Sequence, residues 1–323
     1  MRYRLFGNTG LRVSELLLGT MTFQDEREAR RVVDAYADAG GNVLDTASAY
    51  GDGEDILGAV IERRDRFVLA TKYTLSRDTA DPNGAGNHRK NLVLSLERSL
   101  RRLRTDYVDI LWVHIWDRHT PIEETMRALD DAVRAGKVLY TGISDTPAWL
   151  VARANTLAEW RGWTPFAGLQ VPYNLLRRDA ERELLPMAES LGLSVAAWAP
   201  LAAGVLAGAG RRFDPTRLGP RELAVREAVG KAADELGATP AQIALAWAMA
   251  KSAAVLPLVG MSRPEQLADN LGALDLALPP ETITQLDTAT AFERGFPTDF
   301  IAEAEPSPFA FGDMATKVTG SRR

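Results

Sequence analysis

An aspartate, a tyrosine, a lysine and a histidine stand in this chain where apolar runs give out. Asp45 closes NVLD, Tyr50 follows in the next loop, Lys72 closes FVLATK and His114 closes DILWVH. Together these are the parts for moving a proton. Free tyrosine is a weak acid with a pKa of ~10, and each tenfold change in its acidity corresponds to ~1.4 kcal/mol. An ammonium beside it favours the phenolate and draws that pKa down, while a carboxylate keeps the ammonium charged. Asp45, Lys72 and Tyr50 can form such a chain. A tyrosine tuned in this way protonates an oxygen as hydride reaches the attached carbon, with His114 donating to or orienting the same oxygen. Taken singly, Asp45 and Lys72 read as a structural ion pair, Tyr50 as a rim aromatic and His114 as a core histidine. Their concurrence at successive strand ends is what joins them. The spacing His114-x-x-Asp117-x-His119 also resembles metal ligation, but no further histidine or acidic cluster completes a set, so no metal is expected.

The elements that must position these residues follow from periodicity. Eight short apolar runs, rich in β-branched residues, are each followed by a helical pattern: Glu15–Gly19, Asn42–Thr46, Phe67–Lys72, Tyr107–His114, Val138–Ser144, Phe166–Tyr173, Ser194–Pro200 and Ala254–Gly260. This is the signature of repeated βα units. Runs such as FVLATK and ILWVH alternate little, as strands buried on both faces do. Leu92, Leu96, Leu100 and Leu103 recur at helical spacing in the third helix, and Ile122, Met126, Leu129 and Val133 in the fourth. The seventh opens on Thr239-Pro240, a cap followed by a proline at the first helical position. The expected architecture is an α/β (β/α)8 TIM barrel, one domain over 1–323, in which chemistry gathers at the C-terminal strand ends. To it are added an N-terminal β-hairpin (Tyr3–Phe6 and Leu11–Val13), an insertion over Ala207–Pro220 and a C-terminal helix near Glu281–Thr288. A tail over 292–323, rich in Phe, Pro and Gly, is expected to order only by packing on the body.

Composition narrows the field. The 323 residues include no cysteine and three histidines, which excludes disulfides, thiolate nucleophiles and cysteine-based metal centres. A net charge of -5, with acids and bases interspersed, gives no basic stripe for nucleic acid or an anionic membrane. The uncharged stretch from Ser190 to Gly210 has the length of a membrane span, but its alanines, glycines and Pro200 fit a strand and a small-residue loop better. The N-terminal residues lack the apolar run of an export signal, so a cytoplasmic location is expected. Neither a G-x-G-x-x-G nor a G-x-x-x-x-G-K-[ST] pattern occurs, so no Rossmann or P-loop site is indicated.

From LRVSELLLGTMTF through LDTASAYGDGEDILG, VLATKY, DYVDILWVH, GISDTPAW, LQVPYNLL, WAPLAAGVLAG and VGMSRPEQLADNLGAL, the chain resembles the aldo-keto reductase superfamily. Within it, the chain resembles the bacterial reductases similar to potassium-channel β-subunits and aryl-alcohol dehydrogenases. The resemblance implies a barrel binding NADPH, rather than NADH, in extended form across the strand ends, and hydride transfer to a small-molecule carbonyl substrate. It makes Tyr50 the general acid, supported by Lys72 and Asp45, with His114 lining the carbonyl site. Gly19, Thr20 and Met21 approach the cofactor from the first strand end. Ser144, Asp145 and Gln170 meet the nicotinamide carboxamide, on which Trp198 stacks. Ala199, Pro200 and Leu201 line the pyrophosphate, and Gly260, Ser262, Arg263, Gln266 and Asn270 the adenosine end.

Three positions depart from the family pattern. Asp145 replaces an asparagine and can accept from the carboxamide but, as a carboxylate, cannot donate to its oxygen. Ala199 replaces a common serine, and Arg263 lies one place later than the usual arginine. Phe23, Trp116, Phe296 and Phe300 are the apolar residues available to shape a substrate pocket. The competing reading is a cofactor-binding regulatory or interaction subunit with slow turnover. The sequence names no oligomer interface.

Overall fold

The computed structural model describes residues 1–76, 78–208, 216, 218–261, 263–314 and 317. Eight parallel strands close a barrel: β3 (Leu17–Gly19), β4 (Val43–Asp45), β5 (Val68–Tyr73), β6 (Val108–Val113), β7 (Val138–Ser144), β8 (Phe166–Pro172), β9 (Ser194–Trp198) and β10 (Val255–Gly260), the last pairing with β3. The hairpin strands β1 (Tyr3–Leu5) and β2 (Arg12–Ser14) form a separate antiparallel pair. All six residues of β5 and of β6 are buried, the double burial that their weak alternation predicts.

Side-chain alternation divides this apolar content between two cores. Val68 and Ala70 of β5 face inward with Leu17, Val43, Ile110, Ala196 and Leu256, whereas Leu69 and Tyr73 face the helices. Lys72 therefore points inward, one layer above Ala70. Phe6 and Val13 of the hairpin join the inner core and close its floor. Phe6 meets Trp112 edge to face at 6.0 Å. Room for these rings comes from two strand glycines: a Cβ at Gly142 would lie 2.3 Å from the Trp112 ring, and one at Gly168 2.4 Å from Phe6.

The helices occupy the outer ring. They are α1 (Glu26–Asp38), α2 (Gly53–Val60), α3 (Arg89–Leu103), α4 (Ile122–Arg134), α5 (Ala148–Arg161), α6 (Leu184–Ser190), α7 (Pro220–Leu236), α8 (Pro240–Lys251), α9 (Pro264–Leu271) and α10 (Pro280–Ala289). Leu92, Leu96, Leu100 and Leu103 are all buried, as are Ile122, Met126 and Leu129, while Val133 is half-buried. Thr239 caps α8 by accepting from the Gln242 N–H at 3.2 Å, with Pro240 next.

Several boundaries differ from the sequence expectation. His114 lies one residue beyond β6, and Pro200 lies outside β9, because Ala199 takes a left-handed backbone with φ of 49° and ends the ladder. Helix α7 was not anticipated. Its buried stripe of Val225, Val229, Ala232 and Ala233 has helical spacing, but half of it is alanine, which carries little apolar contrast. The C-terminal region holds two further short helices, α11 (Thr298–Ala304) and α12 (Pro308–Phe311), with no buried residue in either. Much of the expected insertion, at 209–215 and 217, lies outside the described residues.

Candidate active site

The carboxylate of Asp45, at the end of β4, is buried and shared. It accepts from Lys72 Nζ on one oxygen and from Gln170 Nε2 at 3.0 Å on the other. Lys72, 1% exposed, also donates to the Thr46 carbonyl at 2.8 Å. Strand register sets up this junction by placing Asp45 opposite Ala70, two residues before the lysine on the adjoining strand.

Tyr50 sits in the loop after β4, which is tied to β5 by the Ser48 N–H donating to the Lys72 carbonyl at 3.1 Å. Lys72 Nζ lies 5.1 Å from the Tyr50 ring centroid. His114 meets the same ring edge to face, with centroids 6.0 Å apart. Its backbone N–H continues the β5–β6 ladder by donating to the Tyr73 carbonyl at 3.1 Å. The four residues first singled out from the sequence are thus brought together.

Their electrostatics correct one expectation. Partial burial pushes the Tyr50 phenol above its ordinary pKa, Lys72 pulls the other way, and Asp45 adds to the rise. Lys72 has the expected sign but is outweighed, so the phenol holds its proton to higher pH than free tyrosine does. Burial, with a smaller contribution from Lys72, lowers the His114 pKa to about 3. The imidazole is neutral at physiological pH and carries a single N–H. Its Nδ1 is buried without a hydrogen-bond partner among the described residues, as are Thr46 Oγ1 and Ser48 Oγ.

The remaining candidates surround this cluster at the strand ends. Ser144, at the end of β7, is level with Gln170 and buried. Asp145 follows at φ 41° and accepts from Trp198 Nε1 at 3.4 Å. It is open to solvent on one side, yet packing on the other raises its carboxyl pKa against the opposing pull of Trp198 and Lys72. Gly19 and Gly260 are paired across β3 and β10, and Met21 is exposed beyond them. Thr20 is fully buried, and its hydroxyl donates to the Asp45 carbonyl at 3.1 Å, so it braces the β3–β4 seam.

After β9, Ala199, Ala202 and Ala203 all have left-handed backbones, with Pro200 buried and Leu201 half-buried between them. These turns close on themselves, the Ala202 and Gly204 N–H groups donating to the Ala199 and Leu201 carbonyls, both at 2.9 Å. Exposed Arg263 caps α9, its N–H donating to Gln266 Oε1 at 3.2 Å, while Asn270 is buried within that helix. Ser262 lies outside the described residues.

Of the pocket-shaping aromatics, Phe23 is a core residue, and Phe296 and Phe300 are respectively 86% and 50% exposed on the tail. Trp116, two residues beyond His114, packs edge to face on Trp149 at 5.8 Å. Sequence reasoning passed over Trp149, whose only signal is its place in the loop-to-helix turn after β7. It also passed over Glu54 and Arg102, which are joined by a hydrogen bond of 3.1 Å. Asp117 accepts from the N–H groups of Asn87, His119 and Thr120 and from the Thr120 hydroxyl, an arrangement that organises its loop. Among the described residues no group of three or more ligand-type side chains could hold a metal ion, and no helix is long and apolar enough to cross a membrane.

A closed parallel barrel with an acid, a base partner and a phenol gathered at its carboxyl mouth is the build of a (β/α)8-barrel enzyme. Residues 15–291 match the Aldo/keto reductase family, and the chain belongs to it as an oxidoreductase. It is 39% identical to norsolorinic acid reductase of Aspergillus flavus, over 93% of this chain and 83% of that protein. A norsolorinic acid reductase of Emericella nidulans is 40% identical, over 95% and 86%. The aryl-alcohol dehydrogenase of Phanerodontia chrysosporium, whose name specifies NADP(+), is 38% identical over 89% and 85%.

Proposed function

We propose that the protein reduces an aldehyde or ketone carbonyl to an alcohol with NADPH, Tyr50 delivering the proton. The observation that carries this reading is the buried Lys72–Asp45 pair beside the ring of Tyr50, with neutral His114 against the same ring. The chain's own groups suit the cofactor: Gln170 and buried Ser144 lie level at adjoining strand ends, and Arg263 stands exposed at the start of α9. When bound, the cofactor supplies the hydride.

Everything else is done by side chains. Tyr50 holds a proton for the carbonyl oxygen, and its raised pKa keeps that proton in place at neutral pH. As the proton leaves, negative charge grows on the phenol oxygen, and the Lys72 ammonium stabilises it. Asp45 holds Lys72 in place and, through Gln170, ties it to the opposite wall. His114, being neutral, orients the carbonyl by hydrogen bonding without competing as a proton donor. Aryl carbonyl compounds are the first class to test, because relatives carry aryl alcohols in their names and the rim presents the Trp116–Trp149 pair.

Loss of NADPH near-ultraviolet absorbance with a panel of aryl and alkyl carbonyl compounds tests the reading. Turnover with at least one class is expected. Tight cofactor binding with no turnover on any member would instead favour a regulatory subunit.

A further inference from the structure

The loop that carries Tyr50 is held from behind by a second charged network, on the outer face of the barrel. Glu54, in the first turn of α2, is completely buried. Thr71 Oγ1 donates to one of its oxygens at 2.7 Å, and Arg102 Nη1 of α3 to the other at 3.1 Å. The Arg102 guanidinium reaches further: Nε donates to Asp55 at 2.7 Å, and Nη2 to the carbonyl of Gly51, the residue after Tyr50. The Gly53 N–H donates to the Tyr50 carbonyl at 2.9 Å, completing the enclosure of that turn.

Two sequence features make this possible. Gly58 lets α2 lie directly on the end of α3, since a Cβ there would come within 2.3 Å of the Arg102 carbonyl. Thr71 and Lys72 are neighbours on β5 and point to opposite faces, so the carboxylate that holds Thr71 from outside is one residue from the ammonium inside. A single buried carboxylate thus joins the strand of Lys72 to the loop of Tyr50.

We propose that Arg102 and Glu54 are positioning residues for the proton transfer, acting through Tyr50 and touching neither substrate nor cofactor. The inference rests on the reading of Tyr50 as the acid. A fully buried carboxylate is tolerated only when paired and hydrogen-bonded. Here the pairing also fixes the distance from Tyr50 to Lys72, and small misplacement of a catalytic group is enough to slow chemistry severely.

The test is a double-mutant cycle on single-turnover reduction of an activated aryl aldehyde, using wild type, Arg102→Lys, Tyr50→Phe and the double variant. Arg102→Lys keeps a cation opposite Glu54 but loses the fork to Gly51. It is expected to lower the rate on the order of 10-fold to 100-fold, with the NADPH Kd from fluorescence titration changed less than about twofold. In the Tyr50→Phe background the same substitution is expected to change the rate by less than about twofold, because non-additivity marks action through a shared group. An equal loss in both backgrounds, or a loss confined to cofactor binding, overturns the proposal. A Tyr50→Phe rate equal to wild type would overturn the reading of Tyr50 and this inference with it, so the two failures are distinguishable. Glu54→Gln keeps an oxygen for Thr71 and removes the charge facing Arg102. It runs the same cycle, with the same outcomes, should Arg102→Lys not fold.

Discussion

Asp45 and Gln170 stand on strands four places apart around an eight-stranded barrel, β4 and β8, yet they share a hydrogen bond of 3.0 Å. The barrel is narrow enough at this layer for opposite walls to touch. Asp45 therefore does more than neutralise Lys72: it registers the ammonium against Gln170 at the end of β8, which is paired with Ser144 at the end of β7. A group lying on these strand ends and the tyrosine above them share one reference point.

Tyr50→Phe is expected to slow carbonyl reduction by about 100 to 10,000-fold, the usual share of general acid catalysis. The ring and its contact with His114 persist, so the NADPH Kd should remain within about threefold of wild type. Single-turnover absorbance decay and a cofactor titration measure the two quantities.

Lys72→Met removes the ammonium that opposes the rise in the Tyr50 pKa, so the kinetic pKa should move further upward. Reduction needs the protonated phenol; the wild-type rate should fall as pH rises through that pKa, and the variant's slower rate should fall only at higher pH. The substitution also leaves Asp45 buried without its cation, which costs about 3–5 kcal/mol of stability. A pH–rate profile with chemistry limiting, paired with a urea melt, checks both; an unshifted alkaline limb would separate Lys72 from Tyr50.

His114 is held neutral in the fold, with its pKa lowered to about 3. The unfolded chain binds its proton near pH ~6.5, so between these values the unfolded state carries more protons and stability drops as pH falls. The slope from this residue is at most about 1.4 kcal/mol per pH unit and is reduced by its partial exposure. His114→Gln should lose less stability than wild type between pH 6.5 and pH 4. Urea melts at three pH values across that range are the measurement, and a wild-type minus variant difference that stays constant would contradict it.

Arg263→Ala is expected to weaken NADPH binding at least ~10-fold and NADH binding much less, since each charge-assisted hydrogen bond to a 2′-phosphate contributes roughly 1.5–3 kcal/mol. Direct titration with both cofactors decides it, and equal losses would remove Arg263 as the discriminating residue.

The barrel was legible because burial on both faces writes itself into continuous apolar runs, and because polar residues interrupt those runs where strands end. Asp45, Lys72 and His114 were found by that interruption alone, with Tyr50 in the loop beyond. The direction of the Tyr50 pKa was not legible, because burial of a loop residue depends on what folds over it from elsewhere in the chain. Glu54 and Arg102 stayed hidden for a related reason. They are 48 positions apart, and nothing local distinguishes them from the solvated charges common on barrel helices. Helix α7 was missed because alanines pack against neighbours without announcing it.

The hairpin ring of Phe6, set against Trp112 below Lys72, plugs the packed interior from beneath. Its weight falls on stability rather than on chemistry: trimming Phe6 to alanine would open a void against Trp112 and Gly168 while leaving every side chain at the strand ends in place.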